Sequence, residues 1–186
     1  MRKKNDLRVI KTMKNIRESF ISLLQYKCFN DITVQNILDT ALINRTTFYK
    51  YYKDKYDLAE QLAVEYLELS MFYLNERFQE ITDDNLLITA KKIYNHLLEQ
   101  KPLIKALWKI ETETVKVRKD FEILLKEQCK KYLLDKQNNE EVMSDYHSSL
   151  YSSIILTTIQ WLFDHEGSSV DDIVQELKKV FALILN

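Results

Sequence analysis

An all-α fold is predicted, on three observations. The 186 residues include one Gly and one Pro. That is too few for the hairpin turns, bulges and phosphate-cradling loops that β-rich and Rossmann-type chains build from glycine. Apolar residues recur at helical spacing along most of the chain. Cap-type residues, Thr33, Asn44 and Asp54, stand directly before three of these periodic stretches, where a side-chain oxygen accepts from a first-turn N–H. A chain of this length buries about 70% of its unfolded surface, enough for a proper core.

The elements follow in order. The first helix is predicted over Asp6–Tyr26, with Ile10, Met13, Ile16, Phe20, Leu23 and Leu24 on one apolar face. The second covers Val34–Leu42, capped by Thr33, with Ile32 and Ile37 as a hydrophobic staple across its start. The third, Arg45–Tyr52, repeats the device with Asn44 as cap and Ile43 and Phe48 as staple. Asp54 caps a long helix reaching Ile81, about 40 Å at 1.5 Å per residue. Further helices are predicted at Asn85–Gln100, Pro102–Lys109, Glu111–Lys136, Glu140–His165 and Val170–Leu185. Pro102 suits a first helical turn. Gly167 marks a helix stop, and Ser168 or Ser169 the next cap.

Charge divides the chain. Residues 1–55 hold 12 Lys/Arg against 5 Asp/Glu, a net of +7; the other 131 hold 15 against 23, a net of −8. A basic N-terminal module on an acidic body points to a nucleic-acid partner for the first part only. Two domains are therefore expected, a basic helix-turn-helix domain over 1–55 and an acidic helical body over 56–186. No run of 18 apolar residues suggests a membrane span. The basic N-terminus has neither the apolar run nor the cleavage site of an export signal. A cytoplasmic location is expected, with Cys28 and Cys129 as buried thiols rather than a disulfide.

Enzyme chemistry finds little footing. No His has Glu three residues before it, as a helical di-iron site needs. Two distant Cys make no zinc cluster, and there is no glycine-rich phosphate loop or nucleophile elbow. No metal and no cofactor are expected.

The segment Thr33–Leu58, TVQNILDTALINRTTFYKYYKDKYDL, has the layout of a helix-turn-helix reader. Phe48 and Tyr52, four apart, face inward with Ile37 and Ala41, which leaves Arg45, Thr46, Thr47, Tyr49, Lys50 and Tyr51 to solvent or DNA. Arg45 and Thr46 occupy the first turn, which usually reaches base edges. An Arg can contact guanine with two hydrogen bonds, worth ~1–3 kcal/mol of discrimination. Thr47, Tyr49, Tyr51 and Lys55 carry donors suited to phosphate oxygens, and Thr33 and Asn44 stand at helix starts where anions bind.

These residues carry a resemblance. Phe20, Phe29, Thr33, Val34, Ile37, Ala41, Ile43, Asn44, Arg45, Thr47, Phe48, Tyr49, Tyr51, Tyr52, Lys55 and Leu58 stand at the spacing of the TetR/AcrR family of transcriptional regulators. The match spans Met13 to Leu62, and TTFYKYYKDKYDL is its most specific part. Within the family the chain looks most like the branch that includes the dihydroxyacetone kinase activator. It departs from the family at Cys28, Leu42 and Thr46, where Gly is frequent.

The resemblance implies a homodimer that binds double-stranded DNA at a pseudo-palindromic operator, and it assigns to 56–186 the part of a ligand-binding and dimerisation domain. It implies a repressor released by a small-molecule effector, with an activator, or an adaptor working through protein contacts without a ligand, as the alternatives. The last two helices are expected to pair the protomers. Ser148–Phe163 is apolar on more than one face and rich in small residues. Val170, Ile173, Val174, Leu177, Val180, Phe181 and Ile184 form a stripe on the final helix. Tyr66, Tyr73, Tyr94, His96, Trp108 and Trp161 are the candidates for lining an effector site, although core packing is the commoner role for such residues.

Overall fold

The computed structural model describes residues 2–80, 86–137, 141–165, 167 and 169–185, and the side chains of most of them. These residues form helices joined by turns, with no strand among them. The helices are α1 (Arg2–Tyr26), α2 (Val34–Ala41), α3 (Arg45–Tyr49), α4 (Lys55–Glu80), α5 (Leu86–Glu99), α6 (Lys101–Leu107), α7 (Val117–Gln137), α8 (Glu141–Asp164) and α9 (Val170–Leu185). The architecture is all-α, an N-terminal helix-turn-helix followed by a helical body.

Two compact units emerge. One comprises 1–68 together with 102–118, the other 69–101 together with 119–186. The first thus joins the helix-turn-helix to α6 and the loop after it. Its core is Ile16, Phe20, Leu24, Ile32, Ile37, Phe48, Tyr52, Leu58, Ile104, Leu107 and Ile110, each at most 1% exposed. In the second unit α5 packs on α9, and Phe78 meets the rings of Tyr132 and Tyr151 at 5.2 and 5.8 Å.

Most helix ends fall within a residue or two of the sequence expectation. Asp54 caps α4, its Oδ1 accepting from the N–H groups of Tyr56 (2.8 Å) and Asp57 (2.9 Å). Gly167 takes φ +91°, a left-handed conformation that glycine alone adopts without cost. Ser169 caps α9, its Oγ accepting from Asp172 N–H at 3.1 Å. Ile81, Asn85, Glu140 and Ser168 lie outside the described residues.

Five local expectations are corrected. α1 begins at Arg2, not Asp6, since Lys and Arg are good helix formers and nothing there ends the helix. Ile10 is 59% exposed, because the first turns of α1 extend past the buried core. Cys28 is exposed; it stands in extended backbone before an unexpected 3₁₀ turn, Phe29–Asp31. α3 stops at Tyr49 and continues to Tyr52 only as a turn. Residues 111–116 are a loop rather than the start of α7. Thr112 Oγ1 accepts from Val115 N–H at 2.8 Å and Thr112 N–H donates to Val115 carbonyl at 2.9 Å, a local pairing that competes with the helix ladder.

Candidate nucleic-acid interface

Two capped helix starts and one left-handed residue set the geometry of the reader. Thr33 and Asn36 form a reciprocal box: Asn36 N–H donates to Thr33 Oγ1 at 3.1 Å, and Thr33 N–H donates to Asn36 Oδ1 at 3.1 Å. Such a cap contributes about 1 kcal/mol and fixes the entry angle of the helix. α2 ends at Leu42, which has φ 53° and ψ 43° and is 91% exposed. Asn15 of α1 donates from Nδ2 to the Ala41 carbonyl at 2.7 Å, satisfying one of the carbonyls that the helix end leaves open. Asn44 then caps α3, its Oδ1 accepting from Thr47 N–H at 2.8 Å.

The inner side of the turn is closed. Phe48 and Tyr52 are buried beside each other, ring centroids 5.6 Å apart. Tyr52 Oη accepts from Arg17 Nε at 3.1 Å, and the same guanidinium makes a paired contact with Glu65, at 2.8 and 2.6 Å. One arginine thus ties α1 to the end of the α3 turn and to the middle of α4. A planar guanidinium suits this double task, since its donors lie in a fixed fork. Nothing in the periodicity marked Arg17; its partners stand 35 and 48 residues away.

The outer side presents Asn44, Arg45, Thr46, Tyr49 and Lys50 exposed, with Tyr51 and Thr47 half-buried. Arg45 lies 5.7 Å above the Tyr49 ring and Lys50 5.7 Å from that of Tyr51, contacts that restrict both cations before any partner arrives. Donor accounting sorts the rest. Thr47 Oγ1 donates to Asn44 Oδ1 at 2.8 Å, so its proton is committed to the cap. Thr33 accepts through its oxygen, which leaves its hydroxyl proton for another acceptor. Asn44 keeps its Nδ2 donors in the same way.

Lys55, expected at a phosphate, is held within the chain. Its Nζ donates to the carbonyls of Phe29 (2.8 Å), Asn30 (3.0 Å) and Ile32 (2.7 Å). An ammonium has three donors, and all three are occupied. Burial holds this ammonium below the usual lysine range, opposed by the charge of Asp31. Nearby, the Lys53 N–H first and the Gln61 amide second hold the Asp57 carboxyl below its ordinary range.

The expected effector residues divide between the two units. Tyr66, buried, and Trp108, half-buried under Arg118 at 6.0 Å, belong to the first unit. Tyr73, Tyr94, His96 and Trp161 belong to the second. There Tyr73 and His96 are neighbours, ring centroids 4.3 Å apart, and Tyr94 is half-buried. Trp161 is the exception: it is 45% exposed on α8 and stacked on His165 at 4.5 Å. Among the described residues no cluster of His, Cys, Asp or Glu could hold a metal ion, and no helix is long and apolar enough to cross a membrane.

Lys109 was also missed by the sequence reading. From the turn after α6 it donates to the carbonyls of Leu24 (3.3 Å) and Gln25 (3.1 Å), the last turn of α1, where a cation is favoured.

No protein-family model matches the chain. Among solved structures it is similar to a gamma-butyrolactone receptor described as ArpA-like, with TM-score 0.58, 13% identity and coverage of 81% of this chain and 83% of that one. It is also similar to the dihydroxyacetone kinase operon activator DhaS, with TM-score 0.56, 17% identity and coverage of 94% and 96%. These likenesses concern the fold. In sequence it is 30% identical over 156 residues to the HTH-type dhaKLM operon transcriptional activator DhaS of Lactococcus lactis subsp. lactis (strain IL1403), spanning 77% of this chain and 71% of that protein. With a capped helix-turn-helix at the family's spacing and a relative this similar over most of both lengths, the chain belongs to the TetR family of transcriptional regulators.

Proposed function

We propose that this regulator binds a pseudo-palindromic operator as a homodimer and that a small-molecule effector in its body changes operator affinity. Residues 1–55 act as reader and 56–186 as ligand-binding and dimerisation domain. Arg45 and Thr46 reach base edges; Thr33, Asn44, Tyr49, Lys50 and Tyr51 lie along phosphates. Thr47 contributes as part of the cap. Tyr66, Tyr73, Tyr94, His96 and Trp108 are the effector candidates, Tyr73 and His96 foremost because they already meet.

The dimer reading rests on one observation above the others. Met143, Tyr146, Leu150 and Trp161 of α8 are 45%, 57%, 44% and 45% exposed, and at 100° per residue they fall on one side of the helix with Ser153 and Thr157. Ser144, Ser148, Ser152, Leu156, Ile159, Leu162 and Phe163 are buried on the opposite side. Of the serines in Ser148–Phe163 expected to admit a partner helix, Ser148 and Ser152 are thus turned into the chain and Ser153 outward, and the outward side carries the anchors. Of the α9 stripe, Ile173, Val174 and Leu177 are half-buried; the side chains of Val170, Val180, Phe181 and Ile184 lie outside the described residues.

The chain's organisation supports the effector reading. α4 runs from the reader into the second unit, and α6 with its loop belongs to the reader's own unit. A coupling of ~1–3 kcal/mol along these segments changes operator affinity about 5- to 150-fold. The sign has two readings. Release by effector makes a repressor; the name of the DhaS relative, an operon activator, favours the activator. Selection of bound sequences from random DNA tests the whole proposal. A palindrome with half-sites about one helical turn apart is expected, and no enriched sequence would sink it.

A further inference from the structure

Lys55 opens α4, yet its ammonium is spent on the chain between α1 and α2. Three carbonyls converge on it, those of Phe29, Asn30 and Ile32, and the rings of Phe29 and Tyr56 lie 4.7 and 5.4 Å away. Phe29 is 4% exposed and meets Phe20 and Tyr56 edge-on, at 6.2 and 5.2 Å. The aromatic anchor and the ammonium hold the same short connector from two sides. That connector ends at Ile32, fully buried, and the next residue is Thr33, the cap of α2.

We propose that Lys55 is a positioning residue for DNA reading and not a phosphate contact: it pins the connector 29–32 to the start of α4, and so fixes where α2, and α3 behind it, stand. The inference rests on α3 being the reading helix. The chemistry of the site explains the residue type. Convergent carbonyls suit a compact ammonium with three rotatable donors. A planar guanidinium carries its donors in a fixed fork and cannot address the same three points. At a phosphate the preference is reversed, because guanidinium is the better partner for an oxyanion. Lysine and arginine therefore separate the two roles.

The test uses the full-length protein with Lys55→Met, which keeps the stem and removes the donors, and Lys55→Arg. Affinity for a duplex recovered by random-DNA selection is measured from about 50 to 200 mM salt. Amide hydrogen exchange is followed at Asp31 and Ile32, whose N–H groups close the 3₁₀ turn at 3.0 and 3.2 Å. Both variants should bind about tenfold more weakly or worse, keep the wild-type salt slope, and exchange faster at the two amides. A slope lower by about 0.9 in Lys55→Met, with wild-type affinity in Lys55→Arg, would overturn the proposal in favour of a phosphate contact. Wild-type affinity in Lys55→Met would overturn it as well. If Lys55→Met does not fold, Lys55→Arg decides alone: normal binding refutes the pin, and weak binding at unchanged slope supports it. Wild-type protein that shows no sequence preference would count against α3 as reader, while the exchange measurement, which needs no DNA, still judges the pin.

Discussion

The reader and the helix α8 treat their side chains in opposite ways. In the reader, chain corners are closed by polar side chains spent on backbone: Thr33 and Asn44 on helix starts, Asn15 on the Ala41 carbonyl, Lys55 on three carbonyls and Lys109 on two. Phe20, Phe48 and Tyr52 fill its interior at 1% exposure or less. On α8 the small polar residues Ser144, Ser148 and Ser152 are inside, and Tyr146, Leu150 and Trp161 are outside. One region is finished within a single chain. The other presents apolar area of the kind that a second chain covers. A reader that must hold side chains against base edges gains from the first arrangement, since ordering costs have been met before DNA arrives.

The comparison breaks most visibly on the α8 side. Tyr146→Glu with Leu150→Glu puts two charges where a partner helix is proposed to pack. Aromatic anchors at interfaces contribute about 2 kcal/mol or more each, and an unpaired buried charge costs several more. Sedimentation should therefore show a monomer at micromolar concentration, with helical circular dichroism kept. Operator binding should fall with the dimer, because each half-site is then read alone. A dimer that survives both substitutions would place the pairing surface elsewhere and remove the contrast.

Arg45→Ala acts on the reader's outer side and should do less. One base position per half-site should lose ~1–3 kcal/mol of discrimination, read by competition among operators changed one base at a time. Binding to unrelated duplex should be largely kept. Uniform weakening on every sequence would make Arg45 a phosphate contact.

How far the sequence spoke depends on the range of each interaction. The caps at Thr33, Asn44 and Asp54 were legible because each cap oxygen and the N–H that donates to it lie within three residues. The inward set Ile37, Ala41, Phe48 and Tyr52 was legible from helical spacing. The partners of Lys55 were not legible because they lie 23 to 26 residues back; an exposed-type residue beside a basic helix gives no hint that carbonyls surround it. Ile10 fits the α1 stripe, yet periodicity cannot say where a neighbouring element ends. The loop 111–116 reads as helix in the sequence because the pairing of Thr112 with Val115 is a choice between two local pairings that composition leaves balanced. On α8 the sequence showed apolar residues on more than one face, and only the fold separates the buried side from the outward one.

Leu42 is the place where the reader breaks its own pattern, and the smallest effect is expected there. It is a large apolar side chain, 91% exposed, in a left-handed conformation at the corner before α3. For a residue with a Cβ that conformation costs roughly 1–2 kcal/mol. Glycine would remove the strain, at an entropic cost of about 0.5–1 kcal/mol, and almost no burial would be lost in the single chain. Leu42→Gly should therefore stabilise the protein slightly, by up to about 1 kcal/mol, or a rise in Tm of about 2–4 °C at this chain length. A fall in Tm would instead mean that the assembled protein covers Leu42. Unchanged Tm with weaker operator binding would mean that DNA covers it, and the strain would then be part of how this reader meets its operator.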